Sequence, residues 1–325
     1  MGATLAPEKI LKQVADLWVN EHAEGGAGTG VLRACSLTLV VVAAEDEDAA
    51  GLSETLAALM PLHPARAIVI RPSPNQPLGA HVAAHCWIPF GQKHQVCSEE
   101  IEITGSEGAL DDIFSVVSPI RAPDLPVILW CRNRALFESA SIARHAKLAS
   151  RLIVDSAALG DPRQAFGLLS NLVAGGLRIG DLSWTGLTRW REMLSQVFEN
   201  RKYAAHLPQM TQVTVTYGGS AAPACARYMG AWILDSLRQT GAQPKLDFAA
   251  EPTGGEEQLL AVELSSDSFH VTLARQGETL CVSVDDLTHC TNLPVTKDHL
   301  LMSEELEILG RDPVFEQVLR VAIEL

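Results

Sequence analysis

Tryptophan and arginine side chains are concentrated between Asp181 and Glu192, in the segment Asp-Leu-Ser-Trp-Thr-Gly-Leu-Thr-Arg-Trp-Arg-Glu. These are the residue types that most often anchor protein–protein interfaces. In the sequence, no pairing of a nucleophile with a base and no spacing of metal ligands accompanies them. The chemistry that this segment favours is therefore recognition of another protein, and it is an open question whether the chain is an enzyme.

The second half of this segment has the apolar spacing of a helix. One face of the helix predicted over residues 188–200 is formed by Leu187, Trp190, Leu194, Val197 and Phe198. Trp190 is therefore expected in the core. Trp184 lies outside this stripe, and we expect Trp184 and Arg189 at the surface.

Two interpretations of the segment follow. In the first, the acidic side chains of Asp181 and Glu192 pair with Arg189 and Arg191 in an internal clamp. In the second, the tryptophan and the arginines form a surface that binds a partner. The candidate interface residues are Asp181, Trp184, Arg189, Arg191, Asp124 and Trp130. No residue is assigned a catalytic role.

Asp155 ends a predicted strand, and open α/β sheets bind ligands at the carboxyl ends of their strands. The structural interpretation is favoured, in which Asp155 caps the next turn or pairs with a cation such as Arg151. Trp130 ends another predicted strand, and packing in the core is the favoured interpretation of its ring. The alternative function is a ligand-binding protein or an enzyme that acts on a sugar phosphate or nucleotide at this edge.

Two further clusters have the residue types of known sites but the wrong context. The glycines of residues 26–30 follow a predicted helix and enter a strand, which is the reverse of a dinucleotide-binding loop, so we expect a flexible connection.

Five residues of types that can bind zinc lie close together in the sequence: His81, His85, Cys86, His94 and Cys97. On a strand, the first two of these would lie ~13 Å apart, at about 3.3 Å per residue. Since Pro89 favours a strand over a helix, no metal is expected.

The bulk composition excludes several classes of partner. The net charge of −14 disfavours nucleic acid and anionic membrane surfaces, which bind clustered lysine and arginine. No apolar run reaches the roughly 18 residues of a spanning helix, and residues 1–20 do not have the pattern of a signal peptide. The seven cysteines form no obvious pair. We expect free thiols and a cytoplasmic protein without a cofactor.

Alternating strands and helices predict an α/β fold. The predicted N-terminal α/β domain, residues 1–207, has a mixed, largely parallel sheet. Its strands are predicted at 31–44, 66–71, 126–130 and 152–155, with an antiparallel pair at 80–90 and 96–103. Its helices are predicted at 6–21, 52–62, 110–117, 136–148, 165–173 and 188–200. A smaller α+β domain, residues 208–325, follows. It has strands at 213–217, 258–264, 268–274 and 279–284, and a helix at 222–239. Two closing helices are predicted, the first capped by Ser303 and ended by Gly310, the second capped by Asp312.

The chain resembles the glucose-6-phosphate dehydrogenase assembly proteins, the OpcA family. The resemblance depends on an ordered set of segments that runs through the chain, at residues 63–70, 97–101, 122–130, 151–156, 181–185, 187–192 and 305–315. The most specific of these are Asp-Leu-Ser-Trp-Thr and Arg-Trp-Arg-Glu. Gly186 stands where the family has arginine, and Cys131 stands where it often has a second tryptophan.

The resemblance implies a non-catalytic partner that binds glucose-6-phosphate dehydrogenase and promotes its active oligomer in the oxidative pentose phosphate pathway. Such an effector acts by linkage, since a protein that binds the active assembly more tightly shifts the population toward it. It needs a binding surface and no nucleophile.

Overall fold

The structure is a computed structural model that describes residues 6–24, 31–73, 77–91, 94–251, 257–308 and 310–325. In these residues the helices are α1 (Pro7–Glu24), α2 (Ala49–Leu59), α3 (Leu110–Ile120), α4 (Arg134–Glu138), α5 (Ile142–Ala146), α6 (Pro162–Ala174), α7 (Leu182–Thr185), α8 (Thr188–Glu199), α9 (Arg201–Ala204), α10 (Ala224–Gln239), α11 (Asp298–Glu307) and α12 (Pro313–Glu324).

The strands in the same residues form two sheets. The first contains β1 (Val31–Arg33), β2 (Leu37–Val42), β3 (Ala65–Pro72), β4 (Gly79–Trp87), β5 (Gln95–Gly105), β6 (Val127–Cys131), β7 (Arg151–Val154) and β8 (Ile179–Asp181). The second contains β9 (Gln212–Gly218), β10 (Lys245–Glu251), β11 (Leu259–Ser265), β12 (His270–Gln276), β13 (Thr279–Val284) and β14 (Leu287–Asn292).

The first sheet is largely parallel, and its central strands are apolar on both faces. Its order is β1-β5-β3-β2-β6-β7-β8, with β4 added antiparallel to β5. All six residues of β2 are buried, as expected for a parallel strand covered on both sides. The order β5-β3-β2-β6-β7-β8 is that of the doubly wound dinucleotide-binding fold. The predicted α/β class and largely parallel sheet are confirmed.

The second sheet is mixed, with order β10-β9-β11-β12-β13-β14. Strand β10 is parallel to β9, and the other neighbours are antiparallel. Along β9, buried Val213, Val215 and Tyr217 alternate with half-buried polar side chains, because only one face of this sheet packs on a core.

The chain divides into two compact units that do not follow its order. The first unit combines residues 1–154, 175–180 and 298–309, and the second combines 155–174, 181–297 and 310–325. Both units therefore contain residues from the two halves of the chain. The domain boundary near residue 207 stays a prediction.

Several predicted elements differ from those observed. The helix predicted over 136–148 is two short helices, α4 and α5, separated by Ser139–Ser141. Helix α11 already begins at Asp298, so the predicted cap at Ser303 is wrong, whereas the cap at Asp312 is confirmed by its 2.9 Å bond from the Phe315 N–H. Strands β8, β10 and β14 were not predicted. The glycines of residues 26–30 lie outside the described residues.

Two disulfides correct the expectation of seven free thiols. Cys86 pairs with Cys97 across β4 and β5, and Cys281 pairs with Cys290 across β13 and β14. In each case the two residues lie directly opposite one another in the antiparallel register. The sequence showed only separations of 11 and 9 residues, and the pairing depends on the hairpin register.

Candidate functional site

The carboxylate of Asp181 is the centre of a hydrogen-bonded cluster inside the second unit. Asp181 ends β8, caps α7 and is fully buried. Its Oδ1 accepts the backbone N–H groups of Ser156 and Ser183, each at 3.0 Å. The Tyr228 hydroxyl donates to Oδ2 at 2.7 Å. All three of these donors are neutral.

Burial raises the pKa of Asp181, the nearby charge of Asp155 adds to this effect and the donated hydrogen bonds oppose it, so that the pKa is about 7. The pKa of Tyr228 is also raised, because its phenol is buried beside this carboxyl group. Near pH 7, a small change of pH therefore changes the fraction of Asp181 that is charged.

Asp155 belongs to the same cluster and has the structural role that was favoured for it. Its Oδ1 accepts the Ala157 N–H at 3.1 Å and the Ser183 hydroxyl, so Asp155 caps the turn after β7. Pairing with Arg151 is not observed. Arg151 lies in the first unit, where it forms a buried ion pair with Glu305.

Trp184 is buried, with 2% of its surface exposed, so its expected exposure is wrong. Its Nε1 donates to Asp312 Oδ2 at 3.1 Å, and its ring packs edge-on against Tyr228. The guanidinium carbon of Arg191 lies 3.5 Å from the centroid of the indole ring. Arg191 therefore covers the tryptophan by a cation–π contact instead of pairing in a clamp with Asp181.

The other end of the segment behaves as predicted. Trp190 is buried at 4% exposure in the stripe that packs α8 on the core. The side chain of Arg189 is 71% exposed, and its guanidinium lies 3.5 Å from the Glu192 carboxylate. Of the segment's candidates, Arg189 is the one that the structure places fully at the surface.

The two remaining candidates lie in the first unit and differ in exposure. Asp124 is exposed and has φ of 60°, a left-handed backbone conformation that aspartate tolerates better than most residues. Trp130 is completely buried, and the Arg132 guanidinium lies 4.5 Å from its ring centroid. The core interpretation of Trp130 is confirmed, and its ring cannot touch a ligand at the sheet edge.

Acidic side chains occupy the position where a doubly wound sheet usually binds a nucleotide. That position is the loop between β2 and α2, beside β6. The Asp48 carboxylate accepts the first N–H groups of α2, from Ala50 and Gly51, at 3.3 and 3.1 Å. Glu47 pairs with Arg132 at 2.7 Å. A pyrophosphate here would meet two carboxylates at a helix end whose N–H donors are already used.

His81, His85 and Cys86 lie on β4 and Cys97 lies on β5, an antiparallel pair, as the strand interpretation predicted, whereas His94 lies just before β5. Two of the cysteines form the disulfide, and His85 Nε2 lies 2.6 Å from Glu100 Oε2. No group of three or more potential metal ligands occurs in the described part of the chain. The described helices also include none that is long and apolar enough to cross a membrane.

Sequence reasoning missed two contributors to the cluster. Tyr228 was expected only as part of the apolar stripe of α10, and its hydroxyl was the signal that a buried acceptor is present. Asp312 was predicted as a helix cap, but its second oxygen also accepts from Trp184.

The fold and this cluster define an α/β protein whose most distinctive segment is held in the interior by its own hydrogen bonds. Two models of one family match it in order. The N-terminal domain of the glucose-6-phosphate dehydrogenase subunit matches residues 57–171, and the C-terminal domain matches residues 177–319. The chain belongs to this glucose-6-phosphate dehydrogenase subunit family, also called OpcA.

Curated relatives carry the same family name. The provisionally named OxPP cycle protein OpcA of Synechocystis is 26% identical over 60% of this chain and 41% of its own length. The protein of that name from Nostoc punctiforme is 25% identical over 80% of this chain and 64% of its own length. The chain thus spans between about two fifths and two thirds of the length of these relatives.

Solved structures with a similar arrangement include oxidoreductases. A 3-ketoreductase from Actinomadura kijaniata aligns with a TM-score of 0.48 and 11% identity, covering 91% of this chain and 96% of its own. A dehydrogenase from Chromobacterium violaceum aligns with a TM-score of 0.46 and 9% identity, covering 89% and 95%. At this level of similarity, the substrates and cofactors of these enzymes carry no information about this chain.

Proposed function

We propose that this chain is a non-catalytic effector that binds glucose-6-phosphate dehydrogenase and promotes its active oligomer in the oxidative pentose phosphate pathway. The observation that carries the proposal is the ordered match of the two domain models of the dehydrogenase subunit family. The names of the curated relatives, which refer to the OxPP cycle, support the pathway.

In the first unit, acidic side chains lie at the position where a doubly wound sheet usually binds a nucleotide, and this supports a non-catalytic role. Asp48 caps the helix whose N-terminus would receive a phosphate, and Glu47 adds a second carboxylate beside it. Negative charge at this point repels a phosphate. The proposal therefore favours an effector over the alternative of an enzyme or sensor that binds a nucleotide or sugar phosphate at the carboxyl edge of the sheet.

The physical mechanism of such an effector is linkage. If the chain binds the active assembly of the dehydrogenase more tightly than the inactive one, the population shifts by the ratio of the two affinities. Only surface complementarity is required of the effector. We include in the proposal a cytoplasmic location, where the dehydrogenase reaction would supply reducing power, and contacts from the exposed candidates Arg189 and Asp124.

Mixing the chain with the dehydrogenase of the same organism tests the proposal. Light scattering after size-exclusion chromatography should show a complex larger than either protein, and steady-state kinetics should show a changed KM or kcat. If neither the mass nor the kinetics changes when both proteins are at tens of micromolar, the proposal is wrong.

A pair of matched variants tests the contribution of Arg189. Arg189→Ala should weaken binding, whereas Arg134→Ala should not. Arg134 is also an exposed arginine in an intrahelical ion pair, with Glu138 at 2.8 Å, but it was not a candidate. Equal affinities for the two variants and the wild type would remove Arg189 from the interface.

A further inference from the structure

The residues at the end of β4 expose an apolar cluster that the described part of the chain does not cover. This apolar tip consists of Trp87, Ile88, Pro89, Phe90 and Gly91. Ile88 is 65% exposed and Phe90 is 106% exposed, as open to solvent as in an extended peptide. Of the phenylalanine, tyrosine and tryptophan side chains in the described residues, Phe90 alone is exposed.

The strands beneath the tip hold it in one place. Trp87 pairs with Val96 at the last position of the β4–β5 register, and the Cys86–Cys97 disulfide joins the strands one position below. On its other side, β5 is parallel to β3 from Glu99 to Gly105.

Ion pairs fasten the same hairpin to the rest of the first unit. Glu99 on β5 is buried and pairs with Arg66 and with Arg33. The Nε1 of Trp18 donates to the same carboxylate at 2.8 Å. Because the strands below the tip are already ordered, binding through the tip would cost them little conformational entropy, which favours affinity.

The chemistry of the tip specifies the partner's surface. The residues from Cys86 to Gly91 carry no charged side chain, although the chain as a whole has a net charge of −14. An anionic membrane would be repelled by that net charge. Large apolar side chains with a fixed base suit a preformed apolar pocket on another protein, where their apolar surface is removed from water.

We propose that the apolar tip is an anchor by which this chain docks on glucose-6-phosphate dehydrogenase, with Phe90 and Ile88 entering an apolar, uncharged pocket of that enzyme. This inference rests on the proposed function and adds the docking element and the chemistry of its receptor. The residues of the tip belong to none of the segments that carry the family resemblance.

Titration of the labelled cognate dehydrogenase with variants of the full chain tests the proposal. Phe90→Ala should weaken binding about thirtyfold, which corresponds to the roughly 2 kcal/mol of an interface hot spot. Ile88→Ala should weaken it less, and Phe90→Leu should retain most of the affinity because it keeps an apolar side chain. The matched control is Leu287→Ala, which removes a leucine side chain that is 66% exposed on β14. It should leave the dissociation constant within twofold of the wild type.

A photo-crosslinking amino acid gives an independent readout. Placed at position 90, it should form an adduct with the mass of the chain plus one dehydrogenase subunit, and placed at position 287 it should not. Melting temperatures of all variants should match the wild type, because the altered side chains are exposed.

The outcomes separate this inference from the function on which it rests. If the wild-type chain does not bind the dehydrogenase, both proposals fail. If it binds and the Phe90 and Ile88 variants bind equally well, only the docking element is wrong.

A second copy of the chain is the other possible receptor, since an apolar groove of about 270 Å³ lies in the second unit beside Phe198 and Trp232. Variants that abolish self-association but leave dehydrogenase binding intact would overturn the proposal in favour of that contact.

Discussion

In two regions of this protein, the exposure of the residues is the opposite of what their sequences suggest. The segment Asp181–Glu192 carries the most specific family motifs, yet Asp181, Trp184 and Trp190 are all buried. The apolar tip at residues 87–91 matches no motif, yet Phe90 is fully exposed. Interface-type residues therefore do not by themselves mark an interface.

The two aromatic residues differ in the contacts that the chain offers them. Trp184 has an N–H that Asp312 accepts and a face that Arg191 covers, so it is satisfied within the second unit. Phe90 has no polar group to pair, and exposure leaves its apolar surface in water. The first residue is explained by the chain alone, and the second is explained best by a partner.

The largest expected effect is on the free energy of unfolding. Trp184→Ala should lower it by about 3–5 kcal/mol, the range for large-to-small changes at buried aromatic sites. Phe90→Ala should change it by no more than about 0.5 kcal/mol, as for an exposed side chain. Chemical denaturation of both variants checks this contrast. Equal losses would contradict the assignment of one residue to the core and the other to the surface.

A pH dependence should come from Asp181. Its pKa of about 7 in the folded protein exceeds that of an unfolded aspartate, about 3.9, so the folded state binds this proton more tightly. Its contribution to stability is complete below about pH 4 and is lost as the pH rises to about 7, at up to about 1.4 kcal/mol per pH unit.

Comparison with Asp181→Asn isolates this effect. Asparagine keeps an acceptor for the Ser156 and Ser183 N–H groups and an amide that can donate to Tyr228, but it does not titrate. The stability of the wild type relative to this variant should fall between pH 4 and pH 7. A flat difference across that range, measured by urea denaturation, would show that Asp181 is not the titrating group.

Asp312 should have an intermediate effect. Asp312→Ala removes the acceptor of the Trp184 N–H and the cap of α12 together. Loss of a helix cap costs about 1 kcal/mol, and an unpaired buried N–H adds about 1–3 kcal/mol. Asp312→Asn keeps one acceptor oxygen but turns an amide NH2 toward the other N–H donor, so it should recover only part of the lost melting temperature. If Asp312→Ala melts like the wild type, the hydrogen bonds of Asp312 contribute nothing measurable.

The smallest expected effect on stability is that of Arg189→Ala. An exposed ion pair within a helix contributes about 0.3–0.5 kcal/mol, so the melting temperature should hardly change. A large destabilisation would place Arg189 among the structural residues of the segment, next to Arg191, and would remove the basis for assigning it to the surface.

The disulfides can be counted directly. Alkylation of the unreduced, denatured protein should modify Cys35, Cys131 and Cys225, and prior reduction should add the other four cysteines. Seven modified cysteines before any reduction would contradict both pairings.

Local patterns were sufficient for part of the candidate site. The apolar stripe of α8 predicted the burial of Trp190, and the residues before the last helix predicted the cap at Asp312. Both are short-range effects, in which the residues involved are close in sequence. The burial of Trp184 depends on side chains 44 and 128 residues away, Tyr228 and Asp312, and no local pattern carries that information.

The sequence by itself determined the class of fold, the central strands of the parallel sheet and the family. Buried β-branched strands such as β2 are visible as continuous apolar runs, and the family motifs are strings of adjacent residues. Only the tertiary structure decided which of these residues face water. Burial, the pairing of Cys86 with Cys97 and the raised pKa of Asp181 all depend on register and on contacts between distant segments. The same long-range geometry leaves Phe90 outside the core.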